Sequence, residues 1–242
     1  MKNASYYVVL VLALHVGLSS AGAQESEFIK DDDTLFLNHF NKNTDAEFSS
    51  GSSSIVTNGE ANLVSDGKFG TGIMIGDGDW LRIQTDDGNL DLRQGTIEFW
   101  LKANFSGFEG RTEQILTLVS TQPTLSNFSI FLTEDSKIVC QMVLYGPDGE
   151  LVNDKSLAHD IGDAEFFKNQ WHHIALMWDV DDDGKSLKFW LRIDGATIGS
   201  PIVHEANGFE VAPQFLNLLS THTGPASAGI VDELRISKTP RY

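Results

Sequence analysis

In SLKFWLRID (Ser186–Asp194), Leu187, Phe189, Leu191 and Ile193 occupy every second position, with Lys188, Trp190 and Arg192 between them. Successive side chains of a strand point to opposite faces, so a period of two fits a half-buried strand and does not fit a helix. GTIEFWLKA repeats the pattern: Ile97, Phe99 and Leu101 share a face opposite Thr96, Glu98, Trp100 and Lys102. WHHIALMW is apolar on both faces, as expected of a central strand covered on both sides. Further β-rich runs are TLFLNHF, TGIMI, DWLRIQT, EQILTLVS, NFSIFLT, KIVCQMVLY, QFLNLLS and GIVDELRIS, separated by Gly, Asp, Asn and Ser clusters. The one helical candidate is a turn or two near DAEFFKN. This spacing predicts an all-β protein, an antiparallel sandwich or barrel.

The first 23 residues differ from the rest. Lys2 is their only charge, YYVVLVLALHVGL is a short apolar run, and Ala21 and Ala23 stand in an A-x-A pattern. We read 1–23 as a secretory signal peptide, 24–33 as a flexible polar leader, and 34–242 as a single domain. The expected address is secreted, periplasmic or cell-surface. The run is short for a bilayer span, so no membrane span is expected after cleavage. Removing Lys2 takes the formal charge from −17 to −18. Such a chain repels phosphate backbones, which excludes nucleic acid as an expected partner. Cys140 is the only cysteine, so no intramolecular disulfide forms. Its apolar neighbours in KIVCQMVLY predict a buried, inert thiol.

Asp179, Asp181 and Asp183 alternate before Gly184, like the opening of a calcium loop. An EF-hand would need an acid at the twelfth position, which is Trp190, and helices on either side. The segment instead joins two strands and is expected to be an acidic hairpin turn. His172 and His173 are adjacent on a strand and face opposite sides, so packing and hydrogen bonding are their expected roles rather than joint chelation.

The order LFLNHFN, GKFGTGIMIGDGDWLRI, GTIEFWLKA, QWHHIALMWD, WLRIDG, GIVDELRISKTPRY, from Leu35 to Tyr242, resembles a laminin-G-like jelly roll of the concanavalin A-like lectin/glucanase superfamily. The resemblance implies an antiparallel β-sandwich and an extracellular module that binds glycans or proteins, often with calcium. Superfamily enzymes that cut β-glucans carry acids at alternate positions of one strand. Here Glu98 stands alone, and Asp232 and Glu233 are adjacent. We therefore expect a non-catalytic binding module for carbohydrate. An extracellular protein-interaction or structural domain is the alternative, and a polysaccharide-active hydrolase or lyase is the less favoured one.

Aromatic rings on a polar strand face can stack on sugar rings, with charged neighbours bonding hydroxyls. Trp190, Trp100, Lys188 and Arg192 are the ligand-binding candidates on that ground; the competing reading fills a minor core with the two Trp rings. The expected cofactor is a structural Ca2+. Asp77 and Asp79 lie on the Gly-rich turn GDGDW, which can offer side chains and carbonyls or be a tight turn only. The resemblance adds Asp232 as a ligand where the first and last strands meet, with Asn38 or Asn41 as neighbours.

Overall fold

The computed structural model describes residues 26–59, 62–105, 111–120, 126–145, 150–162, 166–205, 212–220 and 227–242. Among these are sixteen strands and no helix: β1 (Thr34–Asn38), β2 (Phe48–Ser49), β3 (Ile55–Asn58), β4 (Asn62–Gly67), β5 (Gly70–Ile75), β6 (Trp80–Gln84), β7 (Gln94–Ala103), β8 (Glu113–Ser120), β9 (Ser126–Leu132), β10 (Lys137–Tyr145), β11 (Leu151–Asp160), β12 (Trp171–Val180), β13 (Leu187–Ile193), β14 (Ala196–His204), β15 (Phe215–Leu218) and β16 (Gly229–Ser237). The signal-peptide segment lies outside the described residues, as does much of DAEFFKN, whose described end is a turn.

Two antiparallel sheets form a β-sandwich. The nine-stranded sheet runs β14-β13-β12-β7-β16-β1-β2, with β5 also paired to β16 and β4 to β5. The seven-stranded sheet runs β11-β10-β9-β8-β15-β6-β3. The alternation read in the sequence sets the inner faces. Ile97, Phe99 and Leu101 of β7 and Leu187, Phe189, Leu191 and Ile193 of β13 meet Leu116, Leu118, Phe128, Ile130, Leu216 and Leu218 from the other sheet. Phe128 and Phe189 stack across the sandwich with centroids 4.7 Å apart. β12, apolar on both faces, is central, between β7 and β13. Trp178 of β12 needs Gly95 beside it, because a Cβ there would sit 2.4 Å from the indole ring.

The Asp179–Gly184 segment is a hairpin turn between β12 and β13. Asp181 caps it, accepting the amides of Lys185 and Ser186 at 3.0 Å each. These bonds hold its carboxyl down to about 2. Cys140 is buried in the core, and burial pushes its thiol up to about 12.

The segment expected to be a flexible leader is held at both ends of its described part. Phe28 is 1% exposed and lies on the outer face of the nine-stranded sheet. Its amide donates to Glu233 Oε2 at 2.6 Å. Asp31 forms a two-pronged ion pair with Arg241, 2.7 and 2.8 Å. Composition counted the polar residues of this segment; what fixes it is a single Phe and two carboxylate contacts.

Candidate functional site

Two outer faces remain for function, one on each sheet. The nine-stranded sheet carries Trp100, Trp190, Lys188 and Arg192, but it does not bring them together. Trp100 pairs with His173 and Trp190 with Met177, four residues along β12 and on opposite flanks of it. Trp100 is only 3% exposed, with Phe28 and Leu37 in the same small cluster and Phe69 and Trp171 against it. The Lys68 ammonium lies 4.0 Å over its ring. It therefore offers no open ring for a sugar. Arg192 bonds the Gly195 carbonyl through Nε at 2.9 Å and stands over the Tyr242 ring. Trp190 and Lys188 are half-buried.

Below these termini lies a closed polar cluster around Glu98, which is 0% exposed. Its carboxylate accepts Arg235 Nε at 2.8 Å and Tyr242 Oη at 2.7 Å, and meets His173 Nε2 at 3.2 Å. Burial raises its pKa, and His173, Arg235 and Tyr242 together more than offset that, leaving it below the ordinary value. The partners of Glu98 are Arg235, His173, Tyr242 and, at 3.7 Å, Arg241, so its carboxylate is held within an internal ion-pair cluster. His172 is likewise structural, bonded to Asp194 at 2.6 Å and to the Phe166 carbonyl at 2.6 Å.

The calcium candidates also lie apart. Asp77 is exposed and pairs with Arg111 at 3.1 Å. Asp79 closes the 76–79 turn and occupies the space a Cβ on Gly59 (φ +80°) would take. Asp232 sits where β16 leaves β5 for β1, at an irregularity in β16. Its oxygens accept the amides of Phe69 at 3.0 Å and Glu233 at 2.8 Å. Burial, with the Glu233 charge adding to it, raises its carboxyl to about 7. Asn38 bonds its own loop at Thr44 and Asp45, and Asn41 bonds Thr71. Among the described residues no group of three or more His, Cys, Asp or Glu could hold a metal ion. Asp77 and Asp79 share one turn, and Asp232 lies on β16.

The seven-stranded sheet is different. Its register lines up Arg82, Asn217, Thr117, Ser129, Gln141 and Ser156 side by side across β6, β15, β8, β9, β10 and β11. Each alternates with core residues of its own strand, so the six form one row on the outer face. With strands about 4.8 Å apart, the row spans roughly 24 Å. Asn217 is 0% and Thr117 2% exposed, yet Asn217 Nδ2 and Thr117 Oγ1 have no hydrogen-bond partner. Gln114 Oε1 is a third such atom. The bulge at Ile115 brings Gln114 to the outward position next to Thr117, opposite Phe131. Leaving a buried polar group unpaired costs about 1–3 kcal/mol, so these three are a cost of the fold, while the solvent-reachable members of the row are Arg82, Gln141 and Ser156.

Arg82 ends the row. Its Nε donates to Asn217 Oδ1 at 2.8 Å. Its guanidinium lies 4.4 Å from the Trp80 ring centroid and 4.8 Å from that of Phe215. Both rings are half-buried. Burial alone lowers the Arg82 pKa, with no carboxylate beside it to raise it again. Sequence reading passed over this row because each member is one polar residue inside an apolar strand. That repeated single interruption, in LTL, FSI, CQM and LNL, was the available signal.

This chain belongs to the concanavalin A-like lectin/glucanases superfamily: a laminin-G family model of that superfamily matches residues 76–241. No curated protein matches the sequence at a significant level. Among solved structures it is similar in fold to the binding domain of botulinum neurotoxin serotype D (TM-score 0.60, 13% identity, 87% of this chain and 49% of that one). The serotype D ligand-binding domain in complex with N-acetylneuraminic acid gives TM-score 0.61 at 11% identity, over 87% and 48%. The neurotoxin DC binding domain in complex with rat synaptotagmin II gives 0.60 at 12%, over 87% and 49%. The chain spans about half the length of these structures.

Proposed function

We propose that this protein is a non-catalytic, exported carbohydrate-binding module whose ligand lies along the outer row of the seven-stranded sheet. The observation that carries this reading is the half-buried Arg82 guanidinium, set between the half-buried rings of Trp80 and Phe215 at one end of the polar row. A sugar ring can stack on either aromatic ring while its hydroxyls accept from the guanidinium. Recognition is stacking plus hydrogen bonding, with no bond broken. The row's length suits an oligosaccharide rather than a single ring. Binding domains among the fold neighbours, in complex with a sialic acid and with a protein, support a binding role over an enzymatic one.

Trp80→Ala tests the reading. Glycan binding on an array falls sharply while the domain stays folded. Undiminished binding in a folded variant would remove Trp80 from the site. A flat array for the parent would end the carbohydrate reading and leave the protein-interaction alternative.

A further inference from the structure

We propose that the saccharide bound along this row is acidic, carrying a carboxylate or sulfate group that the terminal nitrogens of Arg82 hold. The inference rests on the carbohydrate reading and adds the ligand's charge.

The contrast is with four of this chain's five other arginines. Arg235 bonds the Glu98 carboxylate at 2.7–2.8 Å. Arg241 grips Asp31 with both prongs. Arg111 bonds Glu113 at 2.5 Å and Asp77 at 3.1 Å. Arg192 closes its fork on the Gly195 carbonyl. Arg82 spends only Nε, on the neutral oxygen of Asn217, and its two terminal nitrogens have no partner among the described residues. Acids outnumber bases 34 to 17, so an internal partner would have been easy to supply.

The two rings hold the guanidinium in place by cation–π contact without consuming its donors. The buried Asn217 fixes its orientation by accepting the Nε hydrogen bond. A planar cation positioned by three neighbours, with two donors open, matches the bidentate geometry of a carboxylate or sulfate. Val56, the residue paired with Arg82 on the edge strand β3, is 53% exposed, so this end of the row is open to solvent. The overall charge of −17 limits the ligand further. A densely charged polyanion is repelled by the whole molecule, whereas one isolated acidic group feels chiefly the nearest charge within a screening length of about 8 Å. The ligand is therefore a saccharide with a single or sparse acidic residue.

The experiment is an array of oligosaccharides in which each neutral compound stands beside its mono-carboxylated and its mono-sulfated counterpart, followed by calorimetric titration of the best pair. The parent is expected to favour the acidic member by about tenfold or more. Whether the carboxylate or the sulfate arm wins identifies the group. Arg82→Gln should bring the acidic-to-neutral ratio close to one. Asn217→Asp, which sets a carboxylate against the guanidinium, should do the same. If Arg82→Gln fails to fold, Asn217→Asp alone decides. Binding of neutral and acidic members alike would overturn this inference and leave the carbohydrate reading intact. A preference that survives both substitutions would also overturn it. Binding of neither member would bring down both.

Discussion

The outer faces of the two sheets are built from similar residue types and finished in opposite ways. On the nine-stranded sheet, Glu98 is surrounded by Arg235, His173 and Tyr242 and covered by the chain's own terminal segments. Among the described residues, the Trp100 indole N–H is the one buried polar atom of that face without a partner. On the seven-stranded sheet, no acid pairs with Arg82 among the described residues, and Asn217, Thr117 and Gln114 keep buried unpaired atoms. Satisfied polar groups make a face part of the folded structure. Unsatisfied ones are retained at a cost to stability.

That contrast can be broken by substitution, and the largest effect belongs to the closed face. Arg235→Met leaves the buried Glu98 carboxylate short of its main cation and should cost about 3–5 kcal/mol in denaturant unfolding. A loss below 1 kcal/mol would mean the cluster is not a structural element. Phe28→Ala should cost about 3 kcal/mol and raise hydrogen exchange on β7 and β12 beneath it, if the leader truly seals that face. On the other face the sign reverses: Thr117→Val should stabilise by about 1 kcal/mol, and a loss of stability instead would show that its hydroxyl is paired in solution.

The smallest effect is a pH dependence. His39 bonds Glu233 at 2.8 Å, and that bond raises its pKa above the ordinary 6.5. A folded-state pKa above the unfolded one contributes stability that is complete below pH 6.5 and is lost as pH rises through the folded value. The stability gap between the parent and His39→Gln should thus be about 1 kcal/mol near pH 5.5 and shrink above neutrality. A gap that stays constant from pH 5.5 to 8.5 would deny the ion pair. The comparison with this variant matters because Asp232, raised to about 7, also loses its contribution as pH rises and does so equally in both proteins.

Much of the fold was legible because burial imposes alternation on central strands. β7, β12 and β13 could be read residue by residue, including their inner faces. β14 and β11 could not: each is the last strand of its sheet. β14 is largely exposed and carries Gly199 and Pro201, which an edge tolerates. The candidate site was misjudged for two reasons. Tryptophans among lysines and arginines do mark an outer face, but no local pattern reveals that Phe28 and Tyr242 fold back over it. The row on the other sheet depends on register between strands far apart in sequence. Arg82 and Asn217 are 135 residues apart, and nothing near either one names the other.

The Asp31–Arg241 ion pair has one more consequence. It places the two ends of the folded body side by side, on the sheet opposite Arg82. The pair ties residues 210 positions apart on the outer face of the nine-stranded sheet, so anything attached beside it leaves the polar row of the other sheet facing away.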